Sequence, residues 1–245
     1  MTKSSDQANR PGNYFQQATK YLREEMGGIV GAEPRAEPYK VYRSALEVIA
    51  LPPADSTGGG SLWAAIQKRR SVRRYAKKPL TLREVTQLLW ASQGITSEAH
   101  GLRAAPSAGA LYPIETYLMV NNVDGLKPGV YHYRVLSHAL EFIRDGAFGQ
   151  DLAEAAVGQA MCAAAPVVFV WTAIIQRSSW RYKQRAYRYI YLDAGHIAAH
   201  VSLAAVALGL GTCQIAAFFD KEVDAVVQVD GELEFTVYMT SVGRS

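Results

Sequence analysis

A long uncharged stretch limits what this chain can fold into. Residues 194–219 contain no Asp, Glu, Lys or Arg, so the segment favours burial in a protein core or in a membrane. His196 and His200 add polar groups to it, and Gly209 and Gly211 interrupt it. These residues favour a buried helix followed by a core strand over a membrane span.

The rest of the sequence mixes helical and strand patterns without the regular alternation of a βαβ protein. Thr81 and Glu84 form a capping-box pattern at the start of one helix, and Gly94 marks its end. Further helices are predicted over residues 61–69, 148–161, 183–208 and 220–227, the third of them rich in alanine. Strands are predicted over residues 115–121, 130–135, 140–143, 167–174 and 235–241. This mixture predicts an α+β fold.

Composition places the chain among ordinary globular proteins. It has 245 residues, is 49% hydrophobic and 20% charged, and carries a modest net charge of +4. Cys162 and Cys213 form no CxxC motif, which excludes a disulfide framework and a cysteine zinc site. With the polar start at residues 1–10, the cysteines predict a cytoplasmic protein without a membrane segment.

The chain divides into an N-terminal part and one larger domain. Four prolines occur between residues 33 and 54, and residues 56–60 are rich in glycine and serine. We therefore predict an N-terminal extension and linker at 1–60, with an extended arm at 33–54, and a single domain at 61–245.

Two short motifs carry the chemistry. Residues 68–78 hold seven cations and no acid, and Ser71 lies among the arginines. Guanidinium groups and a hydroxyl suit an anionic phosphate, although a solvated face or a nucleic-acid patch has the same composition. Residues 106–113 are small and uncharged with proline at both ends, so their backbone can lie close to a flat ligand. A phosphate and a ring together describe a nucleotide-like cofactor.

The order of these motifs resembles the FMN-dependent nitroreductase family, and within it the SagB-type dehydrogenase branch. Matching segments follow at residues 192–196, 207–211, 215–218 and 242–244, so the resemblance runs from about residue 61 to the C-terminus. It implies a nitroreductase-like fold, with an antiparallel-rich central sheet flanked by helices and the long Ala-rich helix in a homodimer interface.

The resemblance also implies FMN as cofactor, NAD(P)H as electron donor and a small-molecule or peptide substrate. Arg69, Ser71, Arg73 and Arg244 are then the expected phosphate and ribityl contacts, with Arg70 nearby. The ring edge, in the partner's site, would be covered by Pro106, Ser107, Ala108, Gly109 and Ala110. A backbone N–H from the loop Gln214, Ile215, Ala216 and Ala217 would approach the reactive ring nitrogen. Relatives often carry Gly-Ala where this chain has Ala216-Ala217, which reduces the freedom of that backbone.

Tyr182 is the expected catalytic residue. Azoline-oxidising relatives carry a Lys-Tyr pair where this chain has Arg181-Tyr182. Arginine stays protonated and is a poor base, so reduction of nitro, quinone or similar electron-poor acceptors is favoured over azoline oxidation. A non-catalytic flavin-binding protein is the other alternative.

Two remaining patterns have simpler explanations. Residues 180–189 interleave aromatic and cationic side chains as single-strand binders do, but helical spacing favours a buried stripe with a solvated opposite face. His196 and His200 are four residues apart on a helix, yet no third ligand is marked by spacing. We therefore predict no nucleic-acid partner and no metal site.

Overall fold

The central sheet of the molecule has seven strands. We describe residues 10–23, 34–57 and 59–245 in a computed structural model. The strand order is β1-β6-β5-β4-β7-β9-β8, and every neighbouring pair is antiparallel. A separate pair is formed by β2 and β3. The strands are β1 (Glu47–Ala50), β2 (Ile95–Ser97), β3 (Leu102–Arg103), β4 (Ile114–Val120), β5 (Gly129–Arg134), β6 (Ala139–Asp145), β7 (Val167–Ile174), β8 (Gly211–Ile215) and β9 (Glu234–Gly243).

Helices cover both faces of this sheet. They are α1 (Pro11–Ala18), α2 (Leu62–Lys68), α3 (Leu82–Gln93), α4 (Gly149–Ala155), α5 (Met161–Ala164), α6 (Gln176–Tyr182), α7 (Ala186–Ala207) and α8 (Asp220–Val227). Because side chains alternate along a strand, Phe169 and Trp171 of β7 enter one core with α3 and α7. Val168 and Val170 enter a second core with α4, α5 and α8. The predicted α+β fold with an antiparallel-rich sheet is confirmed.

Local signals set several helix ends. The Thr81 side chain accepts from the Glu84 backbone N–H, and the Glu84 carboxylate accepts from the Thr81 backbone N–H, so the predicted capping box is present. The predicted helix at 148–161 is wrong in extent, because it breaks between α4 and α5. Val157 and Gly158 both have positive φ, at 58° and 73°, which a continuous right-handed helix cannot contain.

The uncharged stretch forms a helix and then a strand, as predicted. α7 is followed by β8, which pairs with β9 in the sheet. By length and composition the helical segment Gln176–Ala207 could also cross a membrane, a test that the core helices of soluble proteins pass as well. Here the side chains of Ile190, Ile197 and Val201 are buried in the first hydrophobic core.

Part of the N-terminal extension belongs to the sheet. β1 pairs with β6, with Glu47 opposite Phe142 and Ala50 opposite Ala139. Ahead of it, Lys40 reaches the opposite end of the chain and forms an ion pair with Glu234 at 2.5 Å. The predicted arm at 33–54 therefore contacts the domain through Lys40 and joins the sheet at β1. Residues 1–9, 24–33 and 58 lie outside the described part of the chain.

Candidate functional site

The cationic segment at residues 68–78, called the basic run below, is fixed at the edge of the sheet. It follows α2, and its Ser71 forms a parallel bridge with Thr212 of β8. The backbone N–H of Val72 donates to the carbonyl of Thr212 at 2.8 Å. Val72 packs directly onto Gly211, where an added Cβ would lie 2.7 Å from the Val72 side chain. Glycine at 211 is thus needed for the run to lie against β8.

The guanidinium groups of Arg69 and Arg73 are exposed. Among the described residues, neither has a carboxylate within 4.0 Å. Arg70 instead folds back, and its Nη1 donates to the backbone carbonyls of Gln67 and Arg69 at 3.0 and 2.7 Å. Two uncompensated guanidinium groups flanking the exposed Ser71 are a donor set that fits the phosphate of FMN.

Arg244 has a partner within the chain. Its Nη2 contacts both carboxylate oxygens of Glu84 at 2.8 and 2.9 Å, and its Nε donates to the carbonyl of Pro79 at 3.4 Å. Its own carbonyl accepts from the N–H of Ala76 at 2.8 Å, which ties the C-terminus to the end of the basic run. A phosphate contact from Arg244 would therefore have to share the guanidinium with Glu84.

The second predicted cofactor segment lies at the far end of β8. Gln214 donates through Nε2 to the carbonyl of Ala198 at 3.0 Å and to the Ser202 hydroxyl, both on α7. Ile215 is buried, whereas Ala216 and Ala217 beyond the strand are exposed. The basic run and this loop thus lie along the same strand, β8. The donors that suit a phosphate are near the start of β8, and the exposed residues Ala216 and Ala217 follow its end.

The segment 106–110 is held by a buried acid on α7. The Ser107 hydroxyl donates to Asp193 Oδ2 at 2.6 Å, and the Ala108 N–H donates to Asp193 Oδ1 at 3.2 Å. The same Ser107 oxygen accepts from the N–H of Tyr112 at 2.9 Å. Burial raises the pKa of Asp193, and these two hydrogen bonds oppose that shift.

The sequence alone assigned no role to Asp193. A signal was available, because Asp193 is the one charged residue between Arg188 and Asp220, directly before the uncharged stretch. The backbone beside this acid is strained at two residues, because Ala110 and Tyr112 have positive φ, at 53° and 48°. Gly109, at 62°, adopts such a φ freely. Strain of this kind persists only where surrounding contacts enforce it.

Tyr182 lies against this turn. A Cβ added to Gly109 would overlap the Tyr182 hydroxyl and would lie 3.1 Å from Nη1 of Arg181. The Tyr182 ring makes an edge contact with Tyr189, with centroids 4.8 Å apart. The structure therefore brings together the predicted catalytic residue and the predicted ring-edge segment.

The two halves of the predicted cofactor site lie on opposite sides of α7. Asp193 holds the 106–110 segment, and Ser202 contacts Gln214 of β8. These two helix residues are nine positions apart, which corresponds to a rotation of about 180° and a rise of about 14 Å. Within one chain, the two segments are thus separated by this helix.

Comparison with known proteins agrees with this fold and these motifs. Residues 66–244 match the profile of the Nitroreductase family. A Methanocaldococcus jannaschii protein named as a nitroreductase, MJ1384, is 41% identical over 177 residues, covering 72% of this chain and 87% of its own. A structure described as a nitroreductase from Anabaena variabilis superposes with a TM-score of 0.77 at 30% identity, over 95% of this chain and 46% of the other.

A further relative has a processing role. The trifolitoxin-processing protein TfxB of Rhizobium leguminosarum bv. trifolii is 35% identical over 140 residues, or 55% of this chain. This chain spans only 38% of the length of TfxB. The relative supports the predicted resemblance to the SagB-type dehydrogenase branch. With the matched profile and the nitroreductase-like fold, these findings show that the chain belongs to the nitroreductase family.

Proposed function

We propose that this chain is an FMN-dependent oxidoreductase that reduces nitro, quinone or similar electron-poor acceptors with NAD(P)H. The observation that carries the proposal is the pair of uncompensated guanidinium groups, Arg69 and Arg73, beside Ser71 at the start of β8. They fit a phosphate monoester, and the family membership directs that phosphate to FMN.

Bound FMN would supply the redox chemistry by accepting a hydride from NAD(P)H and passing two electrons to the acceptor. For a nitroarene the balanced reaction consumes NAD(P)H and one proton, and yields the nitroso compound, NAD(P)⁺ and water. The role of this chain's own residues is then to bind the cofactor and to orient it. Arg69, Ser71 and Arg73 would hold the phosphate, and the exposed backbone at Ala216 and Ala217 would face the ring.

A homodimer would complete the site. The segment 106–110 and β8 lie on opposite sides of α7 within one chain, so a second copy is needed to bring the two halves together. An exposed stripe runs along α7 at helical spacing, through Tyr191, Leu192, Gly195 and Ala199. On α2, Trp63 is 77% exposed, and it lies beside the exposed Leu62 and Ile66. Burying this apolar surface favours association.

The direct test is steady-state turnover. Purified protein supplied with FMN should oxidise NADH or NADPH only when a nitroarene or quinone is present. Tyr182→Phe should stay within a few fold of the wild type, because a reduction of this kind needs no titrating side chain. FMN-loaded protein without turnover of any nitro or quinone acceptor would refute the proposal and leave azoline oxidation or a non-catalytic flavin-binding protein.

Azoline oxidation on a peptide is the second candidate, and similarity to TfxB favours it. That reaction removes two electrons and two protons from the ring, and dioxygen is a suitable class of final acceptor. Arg181 is no base, so Tyr182 would have to take the ring proton. Complete loss of thiazoline-peptide oxidation in Tyr182→Phe, with FMN still bound, would favour this candidate. Both cysteines are buried and unpaired, which suits the cytoplasmic location that we propose.

A further inference from the structure

A second recess lies beside Tyr182. A cavity of about 320 Å³ opens between the residues after α1 and the junction of α6 with α7. This volume is within the range of sites that hold small molecules. The residues of its wall that matter here are Lys20, Tyr21, Arg181, Tyr182, Lys183 and Arg185.

The charges of this wall are of one sign. Lys20, Arg181, Lys183 and Arg185 contribute four cations, and among the described residues no Asp or Glu lines the cavity. Within the described parts of the chain, none of the four has a carboxylate within 4.0 Å. A recess lined by uncompensated charge of one sign concentrates ions of the opposite sign.

The wall is also preorganised. The Nη1 of Arg185 donates to the carbonyl of Thr19 at 3.1 Å, and its guanidinium lies 5.2 Å from the Tyr21 ring and 5.8 Å from the Tyr189 ring. Lys183 has φ 49° and ψ −137°, an unfavourable backbone conformation for a residue with a side chain. Arg185 is therefore held next to flat aromatic surfaces, and the Arg181 guanidinium lies 5.5 Å from the centroid of the Tyr182 ring.

The cavity adjoins the turn that we assign to the flavin ring. The Tyr182 hydroxyl lies against Gly109, and Arg181 Nη1 is next to the same glycine. A ligand in the cavity would thus reach from these cations toward the ring edge. Arg181 occupies the position at which azoline-oxidising relatives carry a lysine. A titratable amine is therefore replaced by a guanidinium group, which stays charged and offers several N–H donors in one plane.

We propose that this cavity binds a planar ligand that carries an anionic group, with Arg181 as its main contact. The proposal rests on the flavin oxidoreductase function proposed above, since it names the substrate class of that site. A carboxylate on an aromatic acceptor and the phosphates of the nicotinamide donor share this chemistry, and the experiment separates them.

The first arm measures binding without turnover. Benzoate and benzyl alcohol are titrated calorimetrically into the full chain as purified. Benzoate should bind about tenfold more tightly than the neutral alcohol, and Arg181→Gln should remove most of that difference, because one charge-assisted contact is lost. Lys221→Gln, on the exposed side of α8, is the matched control and should bind both ligands like the wild type.

The second arm measures kcat/KM for 4-nitrobenzoate and 4-nitrobenzyl alcohol, each with NADH and with NADPH. Arg181→Gln should raise KM about tenfold with little change in kcat. An effect confined to nitrobenzoate assigns the cavity to the acceptor's carboxylate. An equal effect with both acceptors assigns it to the donor, through its diphosphate if NADH and NADPH respond alike and through the 2′-phosphate if only NADPH does. Equal benzoate affinity in the wild type and Arg181→Gln would overturn the inference. Failure of every acceptor, with benzoate still bound, would refute only the proposed function.

Discussion

Asp193 is the residue through which helix α7 controls the turn at 106–110. Its two carboxylate oxygens each accept one hydrogen bond, from Ser107 and from Ala108. The Ser107 hydroxyl also accepts from the backbone N–H of Tyr112, so Tyr112 is restrained as well. Because Ala110 in this turn and Tyr112 just after it both have positive φ, the segment depends on such restraints to keep its shape. We therefore regard Asp193 as a positioning residue for the turn that we propose covers the edge of the flavin.

Asp193→Ala should weaken FMN binding about tenfold and lower the free energy of unfolding by about 1–3 kcal/mol, since it leaves the half-buried donors of Ser107 and Ala108 without their acceptor. Asp224→Ala is the matched control, because this buried acid binds the N–H and hydroxyl of Thr236 at 2.8 and 2.7 Å on another part of the sheet. It should lose similar stability and keep its FMN affinity. Urea unfolding and FMN fluorescence quenching measure both quantities. Equal FMN affinity in the two variants would contradict the assigned role.

A second buried group at the residue scale is the imidazole of His132. It lies between two carboxylates, with Nδ1 2.8 Å from Glu141 and Nε2 2.8 Å from Glu115. A neutral imidazole has a single N–H, so two such contacts fit the imidazolium form. Burial opposes this charge, and the hydrogen bonds to the two glutamates outweigh it, which raises the pKa of His132. The nearby Arg177, 2.5 Å from Glu115, helps to hold the pKa of that carboxyl at about 2.

The raised pKa of His132 predicts how stability changes with pH. A folded-state pKa above the unfolded value of about 6.5 gives a stabilising contribution that is complete below that pH. It is lost as pH rises through the folded-state pKa. The free energy of unfolding from urea titrations should therefore fall more steeply above pH 6.5 in the wild type than in His132→Gln. Parallel curves would show that His132 is neutral in the folded protein.

At the scale of elements, the sequence predicted those helices and strands that depend on residues close together in the chain. The capping box of α3 depends on residues three apart, and the strand prediction for β7 on its own continuous apolar run, so both were found. Long-range partners set the rest. The pairing of β1 with β6 leaves no local pattern in the sequence. The same is true of the hydrogen bond between Ser107 and Asp193, which are 86 residues apart. The break between α4 and α5 rests on Val157, whose positive φ no local rule predicts.

The basic run and β8 form one unit through Gly211. Gly211→Ala should push Val72 away from the strand, lower stability by about 1–3 kcal/mol and weaken FMN binding as Ser71 moves with it. Gly60→Ala is the control, because a Cβ there meets nothing within 4 Å. Urea unfolding and FMN titration of both variants test this. Unchanged FMN affinity in a destabilised Gly211→Ala variant would show that the packing of Val72 on Gly211 does not contribute to FMN binding.

At the scale of the whole molecule, the proposed site requires two copies of the chain. Light scattering at micromolar concentration should give twice the chain mass of 26.8 kDa. Ala199→Glu places a charge in the exposed stripe of α7 and should shift the protein toward monomer with loss of FMN. Ala225→Glu, at an exposed position of α8, should leave the dimer intact. A flavin-loaded monomer would refute the two-chain site.

The central claim is that the basic run binds the phosphate of FMN, and FMN titration of purified protein tests it most directly. Wild type should bind FMN and turn yellow, whereas Arg69→Ala and Arg73→Ala should each lose about 1.5–3 kcal/mol of binding free energy through one charge-assisted contact. Arg43→Ala, an exposed arginine of the N-terminal part, should bind FMN like the wild type. Protein that stays colourless with FMN, or Arg69 and Arg73 variants with wild-type affinity, would contradict the account.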